Sequence, residues 1–301
     1  MPNRPPFFTI LTPTRNRAAL LEKAIRSVAT QDFQDFEHRI YDAVSTDGTA
    51  EMIAGFPHVV FTSAPDRGHF DAFNKGLSQA RGEVVGFLNS DDFLEPGTLA
   101  DVAKAFQDPR VEVVSGGAKE VSVNGAGEYR TLREYQSAKD VALAFRNVLR
   151  GQPLINARFF RRSLVARIGN FDLRFPIGSD RDWMIGAALE APREVVLDRF
   201  VYNYLHHDDS LTFNDSGKSI LAYRQEHVGM AEKHLRKPAL PRAVRSQLRT
   251  FHARESAWLT VEHWRARRRG EAWQWARRGW SENRLWPFSL ARRAAGHALG
   301  Y

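Results

Sequence analysis

Cysteine is absent from the 301-residue chain, which excludes both a disulfide framework and a thiolate metal site. No stretch approaches the roughly 20 apolar residues needed to span a bilayer, and the N-terminus has no apolar core of signal-peptide type. Internal repeats and low-complexity tracts are also missing. What remains is an ordinary globular composition, 43% hydrophobic and 26% charged, in a chain long enough for one large domain or two modest ones. The expectation is a cytoplasmic protein, soluble or held peripherally on the inner face of the membrane.

The net charge of +8 is unevenly spread. Residues 1–217 carry 25 Lys and Arg against 29 Asp and Glu, whereas residues 218–301 carry 18 against 6. Six of the seven tryptophans lie from Trp258 onward. This asymmetry divides the chain into an acidic body, 1–217, and a basic helical region, 218–301, that suits an anionic partner.

Short apolar, β-rich runs at Phe7–Thr12, His38–Tyr41, Val59–Thr62 and Val84–Leu88 alternate with helical spacing, beginning with Leu20, Leu21, Ala24, Ile25 and Val28. Alternating strands and helices predict a Rossmann-like α/β fold, with ligands gathered beyond the carboxyl ends of the strands. Polar clusters follow three of these strands: Pro13 to Arg17, Asp42 to Thr49, and Asn89 to Asp92. Adjacent carboxylates such as Asp91 and Asp92 do not both ionise cheaply at the mouth of a buried strand unless a cation or several donors meet them. An Asx turn with a helix cap would need only one of the two.

In order along the chain, Thr12 to Arg17, Asp42 to Thr49, Pro65 to Gly76 and Gly86 to Asp92 resemble the motifs of family 2 glycosyltransferases of GT-A fold. Phe159 to Ser163, Gly169 to Asp172, Ser179 to Asp182 and His207 to Ser210 continue the resemblance, which covers about residues 7–213. It implies a mixed, mainly parallel sheet with a helical C-terminal extension. Residues 1–110 would form the donor-nucleotide half and residues 111–217 the acceptor half. The implied activity is metal-dependent, inverting hexosyl transfer from a nucleotide-sugar, a UDP-sugar being favoured. The acceptor would be a hydroxyl of a glycan or lipid-linked molecule, in cell-surface polysaccharide synthesis. Pro13, Thr14, Arg15, Asp42, Asp66, Arg67, Ser90 and Asp91 are the implied donor contacts. Asp92, with Asp91 and His207, would hold Mg²⁺ or Mn²⁺ against the diphosphate. Two departures stand out: the family's usual Asp-Asp-Gly-Ser is Asp42-Ala-Val-Ser45 here, and Leu205 occupies a position where arginine is common.

Asp180 and Asp182 precede an apolar helical run from Trp183. Capping explains one acidic residue there. Inverting transfer needs a carboxylate to remove the acceptor proton, and Asp180 aligns with the family's base, leaving Asp182 the lesser candidate. Between Val111 and Phe160 a strand at Val111–Ser115, a hairpin around Asn124 and a helical segment over 132–150 are expected, with Gln152 to Asn156 beside the acceptor pocket.

The basic region reads as helices at 220–235 and 241–269, with Trp273, Ala276 and Trp280 on one face. Tryptophan with arginine suits an anionic membrane surface; packing of the rings against neighbouring helices suits the same sequence. No nucleic-acid-binding motif is present, so no nucleic-acid partner is expected. Two alternatives to the transferase remain: a sugar nucleotidyltransferase and a non-catalytic nucleotide-sugar-binding protein. The first would carry a glycine-rich phosphate loop after its first strand, and Pro13 to Arg17 contains no glycine. The altered segment after Asp42 suggests the second.

Overall fold

The computed structural model describes residues 4–124, 127–151, 154–207, 217–284 and 286–291. The chain divides into two compact units, Met1–Phe213 and Asn214–Tyr301.

The first unit opens with β1 (Phe8–Thr14), buried at all seven positions because helices cover both faces of its sheet. Helix α1 (Ala18–Ala29) buries Leu21, Ala24, Ile25 and Val28, four of the five residues in the stripe that its spacing predicts; Leu20 is half-buried. Then come β2 (Phe36–Asp42), α2 (Thr49–Ile53), β3 (Val59–Ser63), α3 (His69–Gln79) and β4 (Val84–Phe87). Strands β1 to β4 pair in parallel in the order β3-β2-β1-β4, so their carboxyl ends share one edge. Gly82, just before β4, lies so close to β1 that a Cβ would stand 2.4 Å from the Thr9 nitrogen. Only glycine allows that approach.

The chain continues through β5 (Phe93–Leu94), α4 (Thr98–Ala105), β6 (Val113–Val123), β7 (Tyr129–Tyr135), α5 (Ala138–Val141), α6 (Phe145–Arg150), β8 (Arg158–Arg161), α7 (Arg162–Ile168), α8 (Ser179–Leu189) and β9 (Glu194–His206). The sheet extends past β4 as β8-β6-β9-β5, with β7 hydrogen-bonded to β6. Strand β8 is antiparallel to β4 and β6, while β6 and β9 run parallel. The result is a mixed α/β sheet of GT-A type whose N-terminal half is wholly parallel. The expected helix over 132–150 is corrected: residues 132–135 belong to β7, paired with β6, and two short helices follow. Of the expected hairpin loop, residues 125 and 126 lie outside the described residues, as do Gln152 and Pro153. Asn124 and Glu128 close the loop through a 3.0 Å backbone hydrogen bond.

An aromatic cluster seats α8 on the sheet. Trp183 packs edge-on against Phe87 of β4 and Phe160 of β8, and stacks on Phe171. Its indole N–H donates to the Gly169 carbonyl at 2.8 Å. Such ring contacts fix orientation as well as area, and they set where the first turn of α8 stands.

The second unit holds α9 (Gly217–Leu235), α10 (Arg242–Arg265) and α11 (Arg269–Glu282). The long helix expected to reach residue 269 ends instead at Arg265. Arg267 takes a left-handed φ of 59° and α11 begins two residues later. Glu255 of α10 is fully buried between Arg224, His227 and Arg254. Burial alone would raise its carboxyl; the His227 hydrogen bond and the guanidinium groups of Arg224 and Arg254 hold it at about 2. Among the described residues no helix is long and apolar enough to cross a membrane.

Candidate active site

Two loops interlock at the carboxyl ends of β1 and β2. The Asn16 amide donates to Ser45 Oγ at 2.7 Å, and Asn16 Oδ1 accepts the Thr46 N–H at 2.8 Å. Asp42, the last residue of β2, is buried and its carboxylate accepts from Ser45 N–H at 3.0 Å and Ser63 Oγ at 2.7 Å. Val44 stands in the left-handed region at φ 56°, 51% exposed. A β-branched residue is strained there, where a glycine would not be. Pro13 and Thr14 are buried at the end of β1, and the Thr14 hydroxyl has no hydrogen-bond partner among the described residues. Arg15 beside it is exposed.

Asp66 caps the turn before α3 by accepting the Gly68 N–H at 2.8 Å. It lines a small recess with Tyr41, Asp42, Thr62 and Lys75. Arg67 is 76% exposed and bonded to Asp71 at 2.9 Å, so its guanidinium is turned along α3. Lys75 donates to the Pro65 carbonyl at 2.7 Å. Asn74 has a structural role, its amide clasping the Phe171 backbone through bonds of 2.9 and 2.8 Å.

The loop after β4 treats its two carboxylates differently. Asp92 is buried and points inward: Oδ2 accepts from Tyr202 OH at 2.8 Å and Asn89 Nδ2 at 3.0 Å, and Oδ1 from the Leu205 N–H at 2.9 Å. Burial, followed by the charge on Asp91, pushes the Asp92 carboxyl up to about 7 despite those donors. Asp91 is the outward member. Its Oδ2 pairs with Arg17 and lies 3.1 Å from His207 Nε2. Ser90 is buried between Asn89 and this pair. Leu205 and His207 reach the loop because β5 pairs antiparallel with β9, opposing Phe93 to Asn203. Asp208, Asp209 and Ser210, which follow His207 in the motif, lie outside the described residues.

Asp180 sits in the first turn of α8 and accepts the Arg181 N–H at 2.7 Å. Arg181, Asp182 and Trp183 after it are buried, which leaves Asp180 the more open of the two acidic residues. Burial raises the Asp180 pKa, with the Arg181 charge opposing. The Tyr204 phenol on β9 is pushed well above its ordinary value by burial, and the charges of both Asp92 and Asp180 add to that rise. One side chain thus senses both carboxylate regions.

The sequence profile described as glycosyl transferase family 2 matches residues 9–169. The chain belongs to that family and is a glycosyltransferase. This family 2 glycosyltransferase is 33% identical over 187 residues to the PGL/p-HBAD biosynthesis glycosyltransferase of Mycobacterium bovis, covering 60% of this chain and 69% of the relative. Its fold is similar to residues 1–349 of S. aureus TarS in complex with UDP-GlcNAc: TM-score 0.63, 21% identity, covering 92% of this chain and 74% of the other. It is likewise similar to a mannosyltransferase from Pyrobaculum calidifontis in complex with GDP-Man and Mn²⁺: TM-score 0.57, 23% identity, covering 99% and 81%.

Among the described residues no three His, Asp or Glu side chains converge as a complete metal cage. The donor set of this family 2 glycosyltransferase nevertheless fits a hard divalent cation. A carboxylate and an imidazole 3.1 Å apart offer an incomplete shell, and such cations are commonly held by one or two carboxylates with substrate phosphates supplying the rest. Asp92, with both oxygens already accepting protein hydrogen bonds, is turned away from that opening. Sequence reasoning missed Arg17, although it lay inside the first quoted motif. It also missed His69, whose pKa falls to about 4 through burial, with the charges of Asp66, Arg17 and Asp91 also felt there. A cleft of about 470 Å³ opens beside His207, lined by Leu20, Lys23, Tyr129, Leu205 and His206. The Lys23 ammonium lies 3.2 and 3.4 Å from the Phe93 and Tyr129 ring centroids, and burial lowers its pKa to about 8.

Proposed function

We propose that the protein transfers a sugar, with inversion, from a nucleotide-sugar to a hydroxyl of a glycan or lipid-linked acceptor, using a divalent cation. The observation that carries this reading is the presence of two half-buried carboxylate sites. An outward Asp91, flanked by Arg17 and His207, faces the strand ends, and a half-buried Asp180, its pKa raised by burial, heads α8. The nucleotide would lie along the strand ends, with Thr14, Asp42 and Asp66 toward base and ribose. A UDP-sugar is the favoured donor, and TarS, in complex with UDP-GlcNAc, supports it by analogy of fold. The M. bovis relative, named for PGL/p-HBAD biosynthesis, supports a role in making cell-surface glycans or glycolipids.

In this reading Asp180 accepts the proton of the acceptor hydroxyl as that oxygen bonds to the anomeric carbon. The bond from the anomeric carbon to the diphosphate oxygen breaks, and the nucleoside diphosphate leaves with the electron pair. Arg17, paired with Asp91, would set positive charge against the negative charge developing on the leaving group. Asp91 and His207 would hold Mg²⁺ or Mn²⁺, whose chemistry when bound is to neutralise the diphosphate. Asp92 fixes the loop that presents Asp91, and buried Asp182 supports α8.

The raised pKa suits a base, because a carboxyl at its ordinary value accepts a proton weakly. Asp180→Asn keeps shape and capping capacity. It should fold, bind donor with Mn²⁺ normally and lose transfer by roughly 10²–10⁴-fold. Asp182→Asn should be milder in turnover. Full transfer by Asp180→Asn in a direct product assay would remove Asp180 from the mechanism.

A further inference from the structure

Helix α11 buries Ala272 and Gly279, and Gly279 is needed because a Cβ there would stand 2.1 Å from the Trp286 indole nitrogen. That contact fixes which side of the helix faces inward. Trp273 and Trp280, each one position further along, are 64% and 57% exposed. At about 100° per residue, Arg269, Trp273, Arg277 and Trp280 fall within roughly 80° of arc, one outward stripe of alternating cation and indole. The acidic residues of this helix, Glu271 and Glu282, fall on the far flank. No carboxylate pairs with Arg269 or Arg277 among the described residues, in contrast to Arg278, which is bound to Glu232 at 2.7 Å. Trp264, 50% exposed, joins the stripe through Arg269, whose guanidinium lies 4.9 Å from its ring centroid.

We propose that this stripe docks the protein on an anionic phospholipid surface. Three features select that occupant. The exposed rings stand out from the helix surface, where a deformable lipid interface can surround them. The arginines without carboxylate partners are complementary to lipid phosphate, and residues 218–301 carry 18 Lys and Arg against 6 Asp and Glu. Indole rings favour the headgroup depth, with an apolar body inward and an N–H toward water. A polynucleotide fits less well, because residues 1–217 are net acidic at 25 against 29 and would repel it. The inference is independent of the transfer reaction. It concerns where the enzyme sits, and donor binding neither supports nor weakens it.

The test is sedimentation of the full chain with vesicles of phosphatidylcholine alone and with about one third phosphatidylglycerol, at low and high salt, with tryptophan emission recorded. The proposal expects binding to the anionic vesicles only, a blue shift of emission, and release by salt. Removing one basic contact is worth about five-fold in partitioning, so Arg269→Gln with Arg277→Gln should cost roughly 25-fold. Trp273→Ser with Trp280→Ser should greatly reduce the blue shift, leaving only what Trp264 contributes, while thermal unfolding and donor binding stay unchanged because these side chains are exposed. Absence of binding to anionic vesicles overturns the proposal. So does undiminished binding by both double variants, or a stripe that instead drives self-association or single-stranded DNA binding at equal salt.

Discussion

Tyr202→Phe isolates the contact that separates the two carboxylates of the Asp91–Asp92 loop. The Tyr202 hydroxyl donates to Asp92 Oδ2 at 2.8 Å and accepts the Asn89 N–H at 3.1 Å, tying the loop after β4 to β9. Phenylalanine keeps the ring and its contact with Tyr204, 4.7 Å between centroids. It removes one buried hydrogen bond, worth about 1.5 kcal/mol, and leaves a part-buried amide unpaired, for about 1–2 kcal/mol more. Asp92 retains its bonds from Asn89 and Leu205, so we expect a total near 3 kcal/mol. For the first unit's urea transition, at a slope of about 3 kcal/mol/M, the midpoint should fall by about 1 M with the slope unchanged. Asp92→Asn in the same background should show a coupling of roughly 1–2 kcal/mol, because the two groups share a bond. Donor affinity should fall with stability, since the loop carrying Asp91 loses a tether. A loss below about 0.5 kcal/mol, or strict additivity in the double variant, would refute the reasoning.

Two further outcomes follow from the fold. Gly82→Ala must push β1 and the segment before β4 apart, since the new Cβ would stand 2.4 Å from the Thr9 nitrogen; a loss of about 3 kcal/mol is expected by chemical denaturation, and an unchanged midpoint would contradict the packing. His38 is fully buried against Thr12 Oγ1 at 2.9 Å, and burial, aided by the His58 charge, lowers its pKa from 6.5 to about 3. The folded-state pKa is depressed, so the unfolded chain takes up the proton first. The contribution is whole above pH 6.5 and is lost at about 1.4 kcal/mol per unit as the pH falls from 6.5 toward 3. His38→Gln should flatten that limb of the stability curve, and parallel curves for the two proteins would count against it.

Much of the fold was legible because its signals are local. Val84 to Leu88 and Phe7 to Thr12 read as buried strands from runs of apolar, β-rich residues, and Leu20, Leu21, Ala24, Ile25 and Val28 read as one helix face. Strand β7 was not legible. Its sequence, YRTLREY, is exposed along nearly its whole length, so no burial pattern marks it, and only pairing with β6 defines it. The same locality limited the site. Asp91 and Asp92 are neighbours of equal chemistry, and what turns Asp92 inward is Tyr202 and the Leu205 amide, more than a hundred residues away. Arg17 was visible within its motif, but its pairing with Asp91 spans 74 positions. The tail gave the common face of Trp273 and Trp280 by spacing. Whether that face looked inward or outward depended on Trp286 seating against Gly279.

The measurement that bears most directly on the proposed active site is calorimetric titration of UDP-sugars into the protein, with and without Mn²⁺, for the parent, Asp91→Asn and Asp92→Asn. Metal-enhanced donor binding is expected in the parent, and its loss in folded Asp91→Asn. Asp92→Asn should lose stability yet keep the metal enhancement in whatever fraction is folded. Metal-enhanced binding that survives in Asp91→Asn but vanishes in a folded Asp92→Asn would reverse the roles assigned to the two carboxylates.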